Sequence, residues 1–323
     1  MMIDFTGGKR KAEADILSGI YRAAAKGRKR EVLLGPGDDC AVIRALKEPL
    51  VITVDEMCEG THFINPLAHP ARIAAKLVAM NVSDLAAMGA VSPVFALCTL
   101  AMPRGTPGAW TGRFTGALIR ECARYEMQLA GGNLARAEKF HFSLIAAGAL
   151  NAPAVRRTGA RPGDLICAVG RAGDAHAGLD ILLGKTPVRG FASLYDYFWR
   201  PQPQLEAGRL IGLHGLATAM MDNSDGLYSS VRTLARDSGC GAAIKLPESA
   251  GSPVLKRYCR LYNKEWRQYA LYGGEDYGLV FTVPPARLKQ LRRLLPGAYP
   301  IGVMTRGKRI LCDIVEEEGF EHF

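Results

Sequence analysis

Long apolar runs are missing from this 323-residue sequence: none approaches the roughly 18 residues that a membrane-spanning helix needs, so no membrane partner is expected. The opening MMIDFTGGKRKAEADIL is charged and has neither an apolar core nor a small-residue cleavage site. A secretory leader is therefore not expected, and the chain reads as cytoplasmic. The eight cysteines are scattered, with no C-x-x-C and no paired histidines. That excludes the usual zinc frameworks and a disulfide scaffold, and the thiols read as reduced and mostly buried. Both common nucleotide fingerprints are absent as well. No G-x-G-x-x-G opens a helix, and Gly184-Lys185-Thr186 lacks the glycine that a P-loop needs at position 179, where Leu stands in the apolar run LDILL. The net charge of +10 raises the question of nucleic acid. Yet the basic clusters Lys9–Lys11, Arg28–Arg30 and Arg287–Arg293 are short, dispersed and free of interleaved aromatics. They read as solvated surface, with no nucleic-acid partner, and a basic rim suits an anionic small substrate.

What is present begins with length. The chain is long for one core, and two domains of roughly 150 residues are the prior. Asn151-Ala152-Pro153 breaks the pattern, which divides the chain into residues 1–150 and 151–323. The stretch from Gly35 to Phe63 carries GPGDDCAVI and then VDEMCEGTHF. It sets Asp38 and Asp39 behind a glycine turn, and Asp55 at the end of the apolar run Val51–Val54, with Glu59, Gly60, His62 and Phe63 directly after. Carboxylates brought together repel one another unless a cation lies between them, and Mg²⁺ is usually held by one or two carboxylates with substrate phosphates. The alternative is that Asp38-Asp39 closes a turn and Asp55 caps one.

Residues 11–30 read as a helix. Pro70 to Gly89 has the helical period in Ile73, Leu77, Val78, Leu85 and Met88, and places Asn81 and Asp84 on one face. Asn and Asp compete for the backbone in mid-helix, so a break or a new cap at Ser83 is the alternative. Strands are expected over 95–100 and 140–150, a helix over 110–125, and Ala130-Gly131-Gly132-Asn133 between them. A basic turn and a buried strand follow over 155–170, and a helix over 204–220. Met221-Asp222-Asn223-Ser224-Asp225-Gly226-Leu227 then leads into a helix to about 237. Ser224 or Asp225 reads either as an N-cap or as part of a phosphate and metal site at the positive helix end. Tyr272-Gly273-Gly274-Glu275-Asp276-Tyr277 enters a strand over 278–283, with Glu275 and Asp276 expected on opposite faces. A surface helix over 285–295, a strand over 309–315 and the tail GFEHF complete the reading.

In this order and spacing, GDDCA, VDxxxEGxHF, NVSDLAAMGA, AGGN, MDNSDGL, GGEDY and terminal GFEHF resemble the thiamine-monophosphate kinase family. That family lies within the aminoimidazole-ribotide synthetase, selenophosphate synthetase and hydrogenase maturation factor E superfamily. The resemblance implies two α/β domains. Residues 1–150 would bind ATP and Mg²⁺ and pair with their twin in a homodimer that encloses a β-barrel. Residues 151–323 would complete an active site lying between the domains. Asp39, Thr53, Asp55, Asp84, Asp222 and Asp225 match metal positions. Gly132, Arg157 and Ser224 match ATP positions, and His62, Glu275 and Phe320 match positions for thiamine monophosphate. The implied reaction is direct in-line transfer of the ATP γ-phosphoryl group to thiamine monophosphate with several Mg²⁺ ions, and no residue need be a covalent nucleophile.

Three positions depart from the family's pattern. Asn133 stands where the family's GGDTT has a metal-holding Asp, Glu56 replaces a small hydroxyl residue, and Gly278 replaces a Glu. Glu56 is a candidate to return the carboxylate lost at Asn133. The departures keep two other readings in play: a paralogous ATP-dependent enzyme with another acceptor, and a nucleotide-binding homologue with impaired catalysis. A reactive N-terminal Cys with a Lys partner is absent, which disfavours a selenophosphate synthetase. The chain ends in Phe323 and not Cys, which disfavours the maturation factor.

Overall fold

The computed structural model describes residues 17–25, 29–64 and 69–314. The chain divides into two compact units, residues 1–81 with 92–149, and residues 82–91 with 150–323. It is a mixed helix-and-sheet fold, as expected. The carboxyl-terminal turns of one long helix, α2 (Pro70–Ala87), count with the second unit although residues 92–149 of the first unit follow them in sequence.

The first described element of the first unit is a helix, α1, over residues 17–24. The helix does not continue to residue 30: Lys29 opens a turn, its carbonyl accepting from Val32 N–H, and its backbone N–H donates to Gln128 Oε1 at 2.7 Å. Short strands β1 (Val32–Leu34) and β2 (Val42–Ile43) pair antiparallel around the glycine turn. The main sheet joins β3 (Leu50–Cys58), β4 (Val91–Met102), β5 (Gln128–Arg136) and β6 (His141–Leu150) in the order β3-β6-β4-β5. Among the described residues this sheet is open, with β3 and β5 at its edges. Along β3 the side chains alternate, as the pleat dictates. Met57 is buried opposite Phe142, while Leu50, Ile52 and Val54 are exposed. On the buried face, helix α3 (Gly108–Arg124) brings Trp110 and Phe114 onto Phe140 and Phe142, with ring centroids 4.6–6.0 Å apart.

AGGN lies within β5 and not in a connection. Parallel pairing sets Gly132 opposite Cys98 and Asn133 opposite Thr99. A Cβ at Gly132 would stand 2.0 Å from the Cys98 carbonyl oxygen, so only glycine lets the strands approach this closely.

The second unit is a six-stranded sheet, β12-β9-β11-β7-β10-β8 in order, made of β7 (Leu165–Val169), β8 (Ala219–Asn223), β9 (Gly241–Ile244), β10 (Gly278–Val283), β11 (Tyr299–Thr305) and β12 (Ile310–Cys312). Both faces are covered, so its central strands are apolar throughout. Ile166, Ala168, Met221 and Val280 face one core with α4 (Asp174–Leu182), α5 (Ala192–Trp199), α7 (Leu227–Asp237), α8 (Pro253–Leu261) and α9 (Trp266–Tyr272). Cys167, Val169, Met220, Leu279 and Phe281 face the other, with α6 (Leu205–Leu213), α10 (Leu288–Leu294) and the end of α2. Helix α6 stops seven residues short of the expected 220. Leu216 N–H donates to Ile211 O and Gly215 N–H to Gly212 O, the paired bonds that close a helix end.

The cysteines are free thiols, and five of them, Cys98, Cys122, Cys167, Cys240 and Cys259, are buried. Lys185 of the rejected P-loop donates to Asp180 at 2.9 Å and serves the core of the second unit. No described helix is long and apolar enough to cross a membrane.

Candidate active site

In the first unit the structure separates what the sequence set side by side. Asp38 Oδ1 accepts from the Asp39 backbone N–H at 2.9 Å, so Asp38 closes a turn and Asp39 is exposed beside it. Asp55 neither ends its strand nor caps a turn. β3 runs three residues further, and Asp55 sits opposite Leu144 on the same face as Thr53 and Met57. At the end of β3 the chain reverses. The Cys58 carbonyl accepts from Thr61 and His62 N–H, while the Cys58 N–H donates to His62 Nδ1 at 3.0 Å. The Glu59 carboxylate accepts from Phe140 N–H at 3.1 Å and ties the reversal to β6. His62 is thereby held with a fixed ring orientation, half-buried.

Glu56 does not stand in for the carboxylate missing at Asn133. Alternation puts it on the opposite face from Asp55, and β3 and β5 occupy opposite edges of the sheet with β6 and β4 between them. Its carboxylate meets His141 Nε2 at 2.8 Å instead.

The second unit gathers three motifs. α2 is unbroken through Asn81-Val82-Ser83-Asp84, so Ser83 is neither a break nor a cap. Register sets Asp222 opposite Leu279, on the face that receives the end of α2. There Ser83 Oγ lies 3.3 Å from Asp222 Oδ2 and 3.4 Å from the Tyr277 carbonyl oxygen. Asp222 and Ser83 are buried, and Asp84, next on the helix, is half-buried. Beyond β8 the ladder continues into the loop before β10: Tyr277 N–H donates to Asn223 O and Glu275 N–H to Ser224 O, at 3.0 and 2.6 Å. MDNSDG and GGEDY are thus stitched together.

Helix α7 is capped by Gly226, which offers no side-chain acceptor, so neither Ser224 nor Asp225 is its N-cap. Ser224 is half-buried and Asp225 exposed.

Glu275 and Asp276 do not alternate along a strand. Their loop holds Glu275 and Tyr277 at φ +69° and +52°, left-handed for non-glycine residues. The restraint on the loop is Asp276, fully buried, whose carboxylate accepts from Gly173 and Ala175 N–H at 2.6 and 3.0 Å where α4 begins. Burial pushes this carboxyl well above the usual range, and the two backbone donors offset part of that. Glu275 is half-buried beside it. Arg157 lies exposed before β7, and Phe320 lies outside the described residues.

The oxygen-rich character of Ser83, Asp84 and Asp222 suits a hard divalent cation such as Mg²⁺ and not a soft one. On the other face of β8, Asn223 accepts from Ser230 of α7 through Oδ1, while its Nδ2 is buried without a hydrogen-bond partner, a donor suited to an anion. The sequence reading missed Ser83, because a hydroxyl in mid-helix reads first as a defect. It also missed Gly208 and Gly212 on α6, where a Cβ would stand 2.2 Å from Ala86 O and 2.3 Å from Ala90 N. These two glycines let α6 lie against the end of the helix that carries Ser83 and Asp84.

The sequence matches the family described as AIR synthase related protein, N-terminal domain, over residues 37–150, and the corresponding C-terminal domain over 161–313. It is 36% identical over 319 residues to the thiamine-monophosphate kinase of Escherichia coli K12, covering 94% of this chain and 96% of the relative. The chain belongs to the thiamine-monophosphate kinase family. The Aquifex aeolicus member is 34% identical over 295 residues, 89% of this chain and 92% of that one. The fold agrees with a kinase of this family solved as AaThiL complexed with AMPPCP and TMP. The TM-score is 0.77 at 32% identity, over 99% of this chain and all of that one. Kinases of this family thus share both halves of the present fold.

Proposed function

We propose that this chain is an ATP-dependent kinase that phosphorylates thiamine monophosphate to thiamine diphosphate. The observation that carries the reading is the end-to-end likeness to a relative described in complex with an ATP analogue and TMP. In the proposed reaction an oxygen of the acceptor phosphate attacks the γ-phosphorus in line. A new P–O bond forms, the bond to the bridging oxygen of ADP breaks, and ADP leaves. No side chain need become covalently attached. The chain's task is to position two anions and offset their repulsion.

In this reading Gly132, Arg157 and Ser224 contact ATP. Arg157 offers the fork of donors that suits phosphate. His62 and Glu275 contact thiamine monophosphate, with Phe320 stacking on its ring. Asp39, Thr53, Asp55, Asp84, Asp222 and Asp225 hold Mg²⁺, with Asn133 contributing a neutral oxygen at most. Bound Mg²⁺ supplies charge that neutralises the phosphates as they meet. Asp276 restrains the loop that presents Glu275, and Cys58 N–H fixes the ring of His62. The first unit, in this assignment, serves nucleotide, metal and dimerisation, and the second completes the active site.

We also infer a homodimer in the cytoplasm. Ile52 and Val54 of the edge strand β3 are 60% and 61% exposed beside Leu50, an apolar stripe that a second copy would cover.

The test is ADP release with Mg²⁺ and ATP, with and without thiamine monophosphate, and identification of the product. Acceptor-dependent turnover giving thiamine diphosphate is expected. Nucleotide binding without acceptor-dependent turnover would overturn the reading in favour of an impaired homologue or a different acceptor.

A further inference from the structure

Among the described residues, one group of three acidic, histidine or cysteine side chains brings its ligand atoms within 4.8 Å of one another: Glu56, Cys58 and His141. None of them belongs to the acids assigned above to Mg²⁺, and the geometry has its own cause. Cys58 and His141 are directly opposed in the antiparallel register of β3 and β6, so both side chains leave the same face of the sheet. Glu56 is two residues back along β3 and therefore on that face too. Glu56 Oε2 and His141 Nε2 stand 2.8 Å apart. In the single chain the side chains of Glu56 and His141 are open to solvent and Cys58 is half-buried, and the three lie at the Glu56 end of β3, past the Leu50–Val54 stripe that a second copy would cover, which leaves an entry path.

We propose that Glu56, Cys58 and His141 form a binding site for a divalent transition metal of the zinc class. The donors are one sulfur, one imidazole nitrogen and one carboxylate oxygen. Such a set favours a borderline-soft ion over Mg²⁺, which demands oxygen. Metal–donor bonds of about 2.0–2.3 Å place tetrahedral donors roughly 3.5 Å apart. The Glu56–His141 pair must open slightly and the wider pairs, within 4.8 Å now, close by up to about 1.3 Å, within the reach of side-chain rotation on paired strands. Three protein ligands leave the fourth position to water or another donor.

The thiol proton leaves on binding, and the ion takes the place between Glu56 and His141 that the hydrogen bond now fills. Binding clips the edge strand β3 to β6 at the base of the reversal that carries His62, whose ring is held by the Cys58 N–H. The site does not depend on the kinase reading.

The experiment is anaerobic titration of the metal-free full chain with Co²⁺, read by absorption. A thiolate-to-cobalt charge-transfer band with tetrahedral ligand-field bands, saturating at one ion per chain and displaced by Zn²⁺, is expected. Cys58→Ser abolishes the charge-transfer band. His141→Asn and Glu56→Gln, both at exposed positions, weaken Co²⁺ binding by at least the about 10–100-fold that even loss of an outer-shell partner costs. Independently of variant folding, Zn²⁺ slows alkylation of Cys58 in the wild-type chain, read peptide by peptide against the exposed Cys40 as the internal reference. A charge-transfer band that survives Cys58→Ser overturns the proposal. So does unchanged Co²⁺ affinity in both exposed variants, or a Cys58 alkylation rate indifferent to Zn²⁺.

Discussion

At the scale of single residues, Asp222 is the most constrained acid in the proposed site. It is buried, aimed by strand register towards the end of α2, and within reach of the Ser83 hydroxyl. Asp222→Asn keeps the shape and removes the charge, so the expected result is loss of acceptor-dependent ADP release by about 10²–10³-fold, the cost typical of losing one pre-placed electrostatic group. Turnover within tenfold of the parent chain would remove Asp222 from the machinery. Asn133→Asp tests the opposite sign. It restores the charged oxygen that the family's pattern has on this strand. The expected result is higher turnover at limiting Mg²⁺, measured as the Mg²⁺ concentration for half-maximal ADP release.

The acids themselves were legible in the sequence, because carboxylates clustered with glycines imply a site whatever the fold. Their partners were not. Ser83 touches Asp222 across 139 residues of sequence, and Glu56 turns from Asp55 to His141, both consequences of pairings that no local pattern encodes.

At the scale of elements, the fold places the site through close helix contacts and a buried polar clamp. α6 presents Gly208 and Gly212 to Ala86 and Ala90, so the last turns of α2 lie against it with no side chain between. Gly208→Ala forces the backbones apart. The expected cost is about 1–3 kcal/mol by urea denaturation, the usual range for overpacking. Because Ser83 and Asp84 ride on the displaced helix, turnover should fall with it.

The clamp is Asp180 of α4, which accepts from Tyr269 of α9, Lys185, and Lys264 in the loop before α9. Burial alone would push its carboxyl up, but these three donors outweigh burial and hold it down at about 2, below its ordinary 3.8. A depressed acid stabilises the fold fully above its unfolded value and loses that contribution as pH falls through its folded one. Between about pH 4.5 and 2 the parent chain should therefore lose about 2 kcal/mol that Asp180→Asn does not lose over the same interval. Equal pH slopes in urea titrations of the two proteins would contradict this. Of the elements, the amphipathic helices and the apolar strands were legible, since period and burial agree in them. β5 was not, because its paired glycines imitate a turn and only the close approach to Cys98 explains them as strand.

At the scale of the whole molecule, the question is what covers the bare face of the four-stranded sheet. One face is packed with aromatic rings from α3, Phe140 and Phe142, whereas Leu50, Ile52 and Val54 stand exposed on the other. An edge strand with an apolar face is a standing invitation to association, and soluble chains usually blunt such edges with charge. Here the blunting is confined to the Glu56 end of the strand, which leaves three aliphatic side chains in a row. A second copy brings the same stripe, and a symmetric pairing buries both at once. Val54→Arg puts a cation into the middle of that surface while leaving the buried face of β3 untouched. The expected outcome is conversion of a dimer into a monomer with an unchanged circular dichroism spectrum, measured by sedimentation equilibrium. If the parent chain already sediments as a monomer, the dimer inference fails. If Val54→Arg remains fully dimeric, the dimer forms elsewhere and this stripe is not its interface.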